Sequence, residues 1–310
     1  MNADILFKKF SKAMAFSAIV IMFLMVIILI FGSLPVWQEF GFDFAIGYDW
    51  NPVEGRESYG VRPYVLGTLI TSAIALIFAV PISIGIAIFL AELAPVQIRE
   101  PLSFIIELLA AVPSVIYGLW GLFIFRFYIR DYIEAPVINT FGATFPVLDG
   151  IPFGLDLFTA GLILSVMIIP TISSVAREVI YAVPNTQKEA AYALGATRWE
   201  MMRTSVFNYA KSGLFGACVL GLGRAVGETM AVTMVIGNTI GAQALPESLF
   251  QPGQSMASII ANEFNEADPG SLHPSALIGV GLILFFFALA IQLFSLYLRE
   301  RALKVEQVID

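Results

Sequence analysis

Residues 212 to 237 read SGLFGACVLGLGRAVGETMAVTMVIG, a run otherwise fit for lipid that carries Arg224 and Glu228 four positions apart. An arginine at the centre of a spanning helix costs about 2.5–3.5 kcal/mol on insertion scales, so something must offset it. On one continuous helix, residues four apart share a face. The spacing therefore predicts a charge pair turned toward protein or a water-filled path, with Gly221 and Ala225 on the same side permitting close helix approach. The guanidinium fork binds two oxygens of an oxyanion and keeps its charge near neutral pH. Glu228 would neutralise Arg224 while the path is empty, and Thr229 and Thr233 would supply weaker donors on adjacent faces. A fixed salt bridge pinning this helix to a neighbour is the alternative these residues leave open.

The elements that hold such a pair are spanning helices. The chain has 310 residues, 58% of them hydrophobic and 13% charged, with a mean hydropathy of +0.83. That composition excludes an ordinary soluble domain and predicts an all-α polytopic membrane protein. A spanning helix needs about 20 mostly apolar residues, and six stretches qualify: 14–34, 66–91, 104–127, 157–176, 212–237 and 276–298. Pro81, Pro113 and Pro170 fall inside the second to fourth, as packing or gating kinks of the kind membrane helices tolerate. The first apolar run is too long for a cleavable signal and reads as an uncleaved helix. Cys218 is the only cysteine, so no intrachain disulfide forms, and the lone His273 supports neither a metal site nor a triad. With no paired-carboxylate or His-rich motif, an intramembrane enzyme is disfavoured.

Basic residues set the orientation. Lys8, Lys9, Lys12, Arg99, Arg177, Lys188, Arg198, Arg203, Lys211, Arg299, Arg301 and Lys304 all fall on one side of the predicted spans. Arg56, Arg62, Arg126 and Arg130 fall on the other, so both termini are expected in the cytoplasm. The three outer segments, 35–65, 128–156 and 238–275, read as loops with short helices at most. They hold Glu39, Asp43, Asp49, Glu54, Glu57, Asp131, Glu134, Asp149, Asp156, Glu247, Glu263, Glu266 and Asp268. Such a surface would not concentrate a free anion, although outer loops are poor in Lys and Arg in any case.

The one sizeable cytoplasmic segment is 177–211. Pro184-Asn185-Thr186 marks a helix start and Gly195 a break. Within it, KEAAYALGATRWE spans 188–200. Ala190 and Ala191 let a partner approach closely, Gly195 supplies a positive φ, and Glu189 favours the helix dipole or meets a partner's cation. A helix pair of this kind fits either a cleft in another protein or the membrane surface.

Here the residues carry a resemblance. Glu189-Ala190-Ala191, three residues, then Gly195 resembles the EAA loop of ATP-binding-cassette (ABC) importer permeases; Asn208 stands where that pattern usually has a proline. ELLAAVPSVIYGLWGLF (107–123) and LGLGRAVGETMAVTMVIGN (220–238) are similar to the phosphate-specific permeases, closest to the PstC type. The resemblance implies a type I ABC importer permease fold in a prokaryotic inner membrane: a first helix and outer loop over 1–65, a transmembrane core over 66–298, and a cytoplasmic tail over 299–310. It implies a channel-forming subunit of an ATP-driven phosphate importer in which Glu189, Ala190, Ala191 and Gly195 engage the ATPase. The implied partners are a second, PstA-type permease, two PstB-type ATP-binding subunits carrying ATP and Mg, and an external PstS-type phosphate-binding protein. The chain has no GxxxxGK[ST] loop of its own and is expected to bind no cofactor. Glu107, at the cytoplasmic end of the third span, is a candidate partner for Arg177 or for a subunit interface. A related oxyanion permease, or a proton-coupled carrier using Arg224 and Glu228 as a relay, are the competing readings.

Overall fold

A computed structural model describes the backbone of residues 2–306 and the side chains of residues 5–297. The side chains of Arg299, Arg301 and Lys304 and the end of the expected tail therefore lie outside the described residues. The chain runs through helix α1 (Asn2–Phe40), the short α2 (Asp43–Ile46), and a two-stranded antiparallel hairpin, β1 (Trp50–Asn51) and β2 (Ser58–Tyr59). Next come α3 (Arg62–Ile88), extended by a π-helical turn over Phe89–Leu93, and α4 (Val96–Ala111). The short helices α5 (Ser114–Trp120), α6 (Arg126–Ile129) and α7 (Ala135–Val137) are joined by π turns into one rod reaching Gly142. Then follow α8 (Leu157–Tyr181), α9 (Asn185–Ala193), α10 (Arg198–Met201) and α11 (Phe207–Val226), the last two linked by a π turn over Met202–Val206. The chain closes with α12 (Met230–Val235), α13 (Met256–Glu263) and α14 (His273–Glu306).

Four helical stretches, Ile5–Phe40, Arg62–Leu93, Leu157–Tyr181 and His273–Tyr297, are long and apolar enough to cross a membrane. Val96–Ala111 and Ser114–Gly142 make a fifth if the pair, bent by 89°, counts as one span. The sequence predicts a single kinked span over 104–127. Instead Pro113, with extended backbone dihedrals, turns the chain through a corner, because its ring excludes a helical conformation for Val112. The rod beyond the corner also makes 128–142 helical where the sequence predicts loop. The fifth expected span corresponds to α11 and α12 with a break between them.

The main core lies where α3 packs along α8, with α11 and α12 alongside. Small buried residues, Ala75, Ala79, Ala160 and Ala176, bring these backbones together. Ser83 Oγ bonds the Ile169 carbonyl at 3.2 Å, tying α3 to α8 beside Pro170. A second cluster closes the hairpin end, where Val36, Phe44, Trp50, Tyr59, Tyr64 and Leu277 are buried together. Glu263 Oε2 joins it by accepting Trp50 Nε1 at 2.8 Å and meeting His273 Nε2 at 2.7 Å. The lone histidine thus serves as a structural partner there, stacked on Tyr59.

Two carboxyls are buried at the same end. Asp156 caps α8, its Oδ1 accepting Thr159 N at 2.7 Å, while Glu134 accepts Gly154 N at 3.0 Å and Thr159 Oγ1 at 3.3 Å. Asp156 Oδ2 is buried with no donor. Burial first, then the hydrogen bond and charge of Glu134, push Asp156 up to about 8, so it holds a proton at neutral pH. The folded state therefore keeps a proton that the unfolded chain releases at ordinary carboxylate pH. This contribution to stability is complete in acid and is lost as pH rises through about 8. Asp156→Asn keeps the cap and supplies a permanent donor. Its Tm should fall less than wild type's between about pH 4 and 8, where only the folded state keeps the proton. Parallel Tm profiles for the two proteins would show that the pair does not share a proton.

Candidate translocation site and docking hook

Gly221 brings α11 against α8: a Cβ there would stand 2.5 Å from the side chain of Ile172. At that contact the half-buried Arg224 donates from Nη1 to Thr171 Oγ1 at 2.7 Å. Thr171 lies ten residues, about 15 Å of helix rise, from the Tyr181 end of α8, which puts the bond near mid-span. The remaining guanidinium donors have no acceptor among the described residues, and none of them is sealed from solvent. Tyr117 stands within electrostatic reach of Arg224. Its phenol donates to the Leu109 carbonyl at 2.9 Å, bridging the Pro113 corner.

Arg224 and Glu228 do not share a helical face. The helix ends at Val226, with Gly227 as its cap, and resumes only at Met230. Two glycines in five residues weaken the helix. Glu228 completes the break by accepting Ala231 N on Oε1 at 3.3 Å, a local bond that satisfies the start of α12. No ion pair joins Glu228 to Arg224 among the described residues. Thr233 donates to the Thr229 carbonyl at 2.7 Å and Thr229 to the Gly227 carbonyl at 3.4 Å, so both hydroxyls are turned to backbone acceptors instead of standing free as donors. Sequence reasoning misses Thr171, which sits 53 residues from Arg224. Only the polar residue just after Pro170 marks it out.

At the Tyr181 end, α9 and α10 form a projecting hook. Gly195 turns the chain between them with φ of +83°, a region a side chain disfavours. Thr197 and Glu200 form a capping box that starts α10. Ala190, Ala191 and Gly195 line an open cavity of about 720 Å³, and Leu194, at 90% exposed, stands at the tip with Trp199 also exposed. Glu189 is exposed and makes no bond among the described residues. Asn208, in the first turn of α11, bonds the Thr204 carbonyl at 2.8 Å, so the chain leaves the hook as a continuing helix. Arg177 Nη2 meets Glu107 Oε1 at 3.3 Å, joining α8 to α4. At the opposite end, Glu54, Glu57, Glu263, Glu266 and Asp268 converge on one cavity of about 590 Å³.

Residues 83–304 match the family model described as "Binding-protein-dependent transport system inner membrane component". The phosphate transport system permease protein PstC of Pasteurella multocida is 50% identical over 98% of this chain and 93% of its own length. The protein of the same name from Haemophilus influenzae is 48% identical over 94% of this chain and 91% of its own. A probable PstC from Methanocaldococcus jannaschii is 33% identical over 94% and 93%. Among solved structures, a bacterial ABC transporter involved in import of the acidic polysaccharide alginate superimposes with a TM-score of 0.54 at 18% identity, covering 96% of this chain and 98% of that one. An inward-facing MetNI methionine ABC transporter gives a TM-score of 0.53 at 16% identity, covering 78% and 94%. The fold is that of the type I importer permeases.

The hook's geometry is open to a direct check. Gly195→Val forces a branched side chain into left-handed backbone at a cost of about 1–2 kcal/mol. Because nothing stands within 4 Å of a Cβ at this position, packing adds no further penalty. Limited proteolysis between residues 193 and 198 should accelerate several-fold while the Tm of the bundle stays nearly constant. An unchanged cleavage rate would mean that the turn does not depend on glycine.

Proposed function

Because the chain belongs to the family of binding-protein-dependent transport system inner membrane components, we infer that it is the channel-forming permease subunit of an ATP-driven phosphate importer. It is a multi-pass membrane protein and a transport subunit, not an enzyme. A permease of this family works with an ATPase and a substrate-binding partner. The finer assembly we propose has a second, PstA-type permease, two PstB-type ATP-binding subunits and an external PstS-type phosphate-binding protein. ATP and Mg are held by the ATP-binding subunits, this chain binds no cofactor, and both termini face the cytoplasm of a prokaryotic cell.

The observation that carries the substrate reading is Arg224. Its guanidinium is oriented by one neutral hydroxyl and keeps its other donors open. A phosphate oxyanion entering the bundle meets a planar fork whose charge no carboxylate has cancelled. Glu228, four residues on and past the end of α11, then acts on the pathway through the backbone break it stabilises, with Thr229 and Thr233 fixing the same segment. Glu189, Ala190, Ala191 and Gly195 form the surface that seats in the ATPase. Pro113, Glu107 and Arg177 hold the corner and the α4–α8 contact against which the bundle moves. The acid-lined cavity at the hairpin end repels a free anion. That supports delivery by a docked carrier over collection from solution.

Two measurements test this reading. In sealed vesicles holding the whole complex, Arg224→Gln should abolish phosphate uptake while assembly persists. Arg224→Lys should leave it at least about ten-fold impaired, since a point charge does not replace the fork. Normal uptake by the glutamine variant would remove Arg224 from the pathway. Separately, uptake should follow ATP and ignore the proton gradient; dependence on the gradient alone would favour a secondary carrier.

A further inference from the structure

The last turn of α3 is gripped by side chains from three helices. Its π-helical end, Phe89–Leu93, presents Glu92, whose Oε1 forms an ion pair with Lys188 Nζ of α9. The Glu92 carbonyl accepts Arg198 Nη2 of α10. The two cations stand on opposite sides of the Gly195 turn, so both arms of the hook converge on one residue. One residue earlier and two later, the carbonyls of Ala91 and Ala94 accept Arg99 Nη2 of α4 at 3.5 and 3.1 Å. Arg99 also donates from Nη1 to Tyr181 Oη at the end of α8 and lies over its ring, 5.4 Å from the centroid.

This arrangement follows from helix chemistry. The final carbonyls of a helix lack intrahelical donors and carry partial negative charge, so cations collect there. The Lys188 and Glu92 side chains are only 16% and 12% exposed. Solvent therefore screens the pair far less than a surface bridge, and removing one partner leaves an uncompensated charge. The hook otherwise touches the bundle through few buried groups: α9 buries no residue, and α10 only Met201.

We propose that Glu92 is the transmission residue of this transporter: the ion pair with Lys188 and the carbonyl bond from Arg198 carry movement of the hook into α3. From α3 the movement passes directly to α8, which packs along it and bears Thr171, the residue that orients Arg224. Glu92 touches no substrate and acts through position alone. This inference rests on the reading that α9 and α10 seat in the ATPase.

The test uses the complete complex reconstituted in proteoliposomes and reads phosphate imported per ATP hydrolysed. Glu92→Lys should lower that ratio at least about ten-fold with the ATPase still bound and hydrolysing, as expected when a shielded pair is turned into a repulsion. Glu92→Gln should lower it by a smaller factor. The exchange Glu92→Lys with Lys188→Glu should bring the ratio back to within a few-fold of wild type. A merely structural brace would lower Tm and assembly and leave the ratio of the surviving complexes intact; that outcome overturns the proposal. So does a wild-type ratio in both single variants, or an exchange that fails to recover. Should Glu92→Lys not assemble, Glu92→Gln with a normal ratio is by itself sufficient to reject the idea. Loss of the wild-type ATPase from the hook would instead overturn the functional reading, a separate result visible by co-purification before any variant is made.

Discussion

A guanidinium held by a hydroxyl, with no carboxylate on it among the described residues, is the interaction on which the proposed pathway depends. Had Arg224 paired with Glu228, an incoming anion would first have to displace a charge-assisted bond roughly twice as strong as a neutral one. Thr171 fixes one edge of the fork at 2.7 Å and leaves its charge intact. The cost is a cation whose solvation must come from a wet path or from substrate. Partial exposure of the unpaired donors meets that need. Close approach of α11 to α8 at Gly221 is what lets so short a side chain as threonine reach the arginine.

Two interruptions give the surrounding helices their shape, and both arise from local backbone competition. At Pro113 the chain turns by 89°, and the Tyr117 phenol clasps the Leu109 carbonyl across the corner. At Gly227 a weak helix former meets Glu228, whose carboxylate serves the amide of Ala231 better than it would serve a continuing helix. The second break separates the charges that the sequence set on one face. Glu228 thereby shapes the backbone after Gly227 instead of pairing with the arginine.

Legibility in the sequence tracked the range of the interaction. The hook is legible because its signals are local: Pro184 before Asn185, and a glycine at a positive φ. The apolar runs located α1, α3, α8 and α14 for the same reason. Composition blurred the ends of α11, since lysine, glycines and arginine dilute a run that still forms a helix of 20 residues. Nothing local announces Thr171 for Arg224, Glu92 for Lys188, or Glu134 for Asp156, whose partners lie 53, 96 and 22 residues away in the chain (224 − 171, 188 − 92 and 156 − 134). Each pairing is decided by how helices lie against one another, and one sequence carries no record of that. Glu107 meets Arg177, one of the two partners that the sequence leaves open for it, because both lie on the same membrane face.

The charge pattern along the membrane normal constrains how transport can proceed. Carboxylates crowd the hairpin end, Arg224 stands near mid-span with no carboxylate partner among the described residues, and basic side chains are gathered around the hook. For an anion this profile is a barrier followed by a well. A free anion arriving at the outer mouth meets like charge within a Debye length of about 8 Å at physiological salt. A carrier protein that covers those carboxylates with its own cations removes the barrier before it releases its cargo. On the proposed reading the well must then be made shallow for the anion to leave, and separating Thr171 from Arg224 would do so by freeing the guanidinium. Because α3 lies along α8 and ends at the hook, energy applied at the hook is transmitted to the very helix that orients the cation. An uncancelled arginine and an external motor are therefore two halves of one requirement, since a site strong enough to draw phosphate off a carrier will not release it unaided.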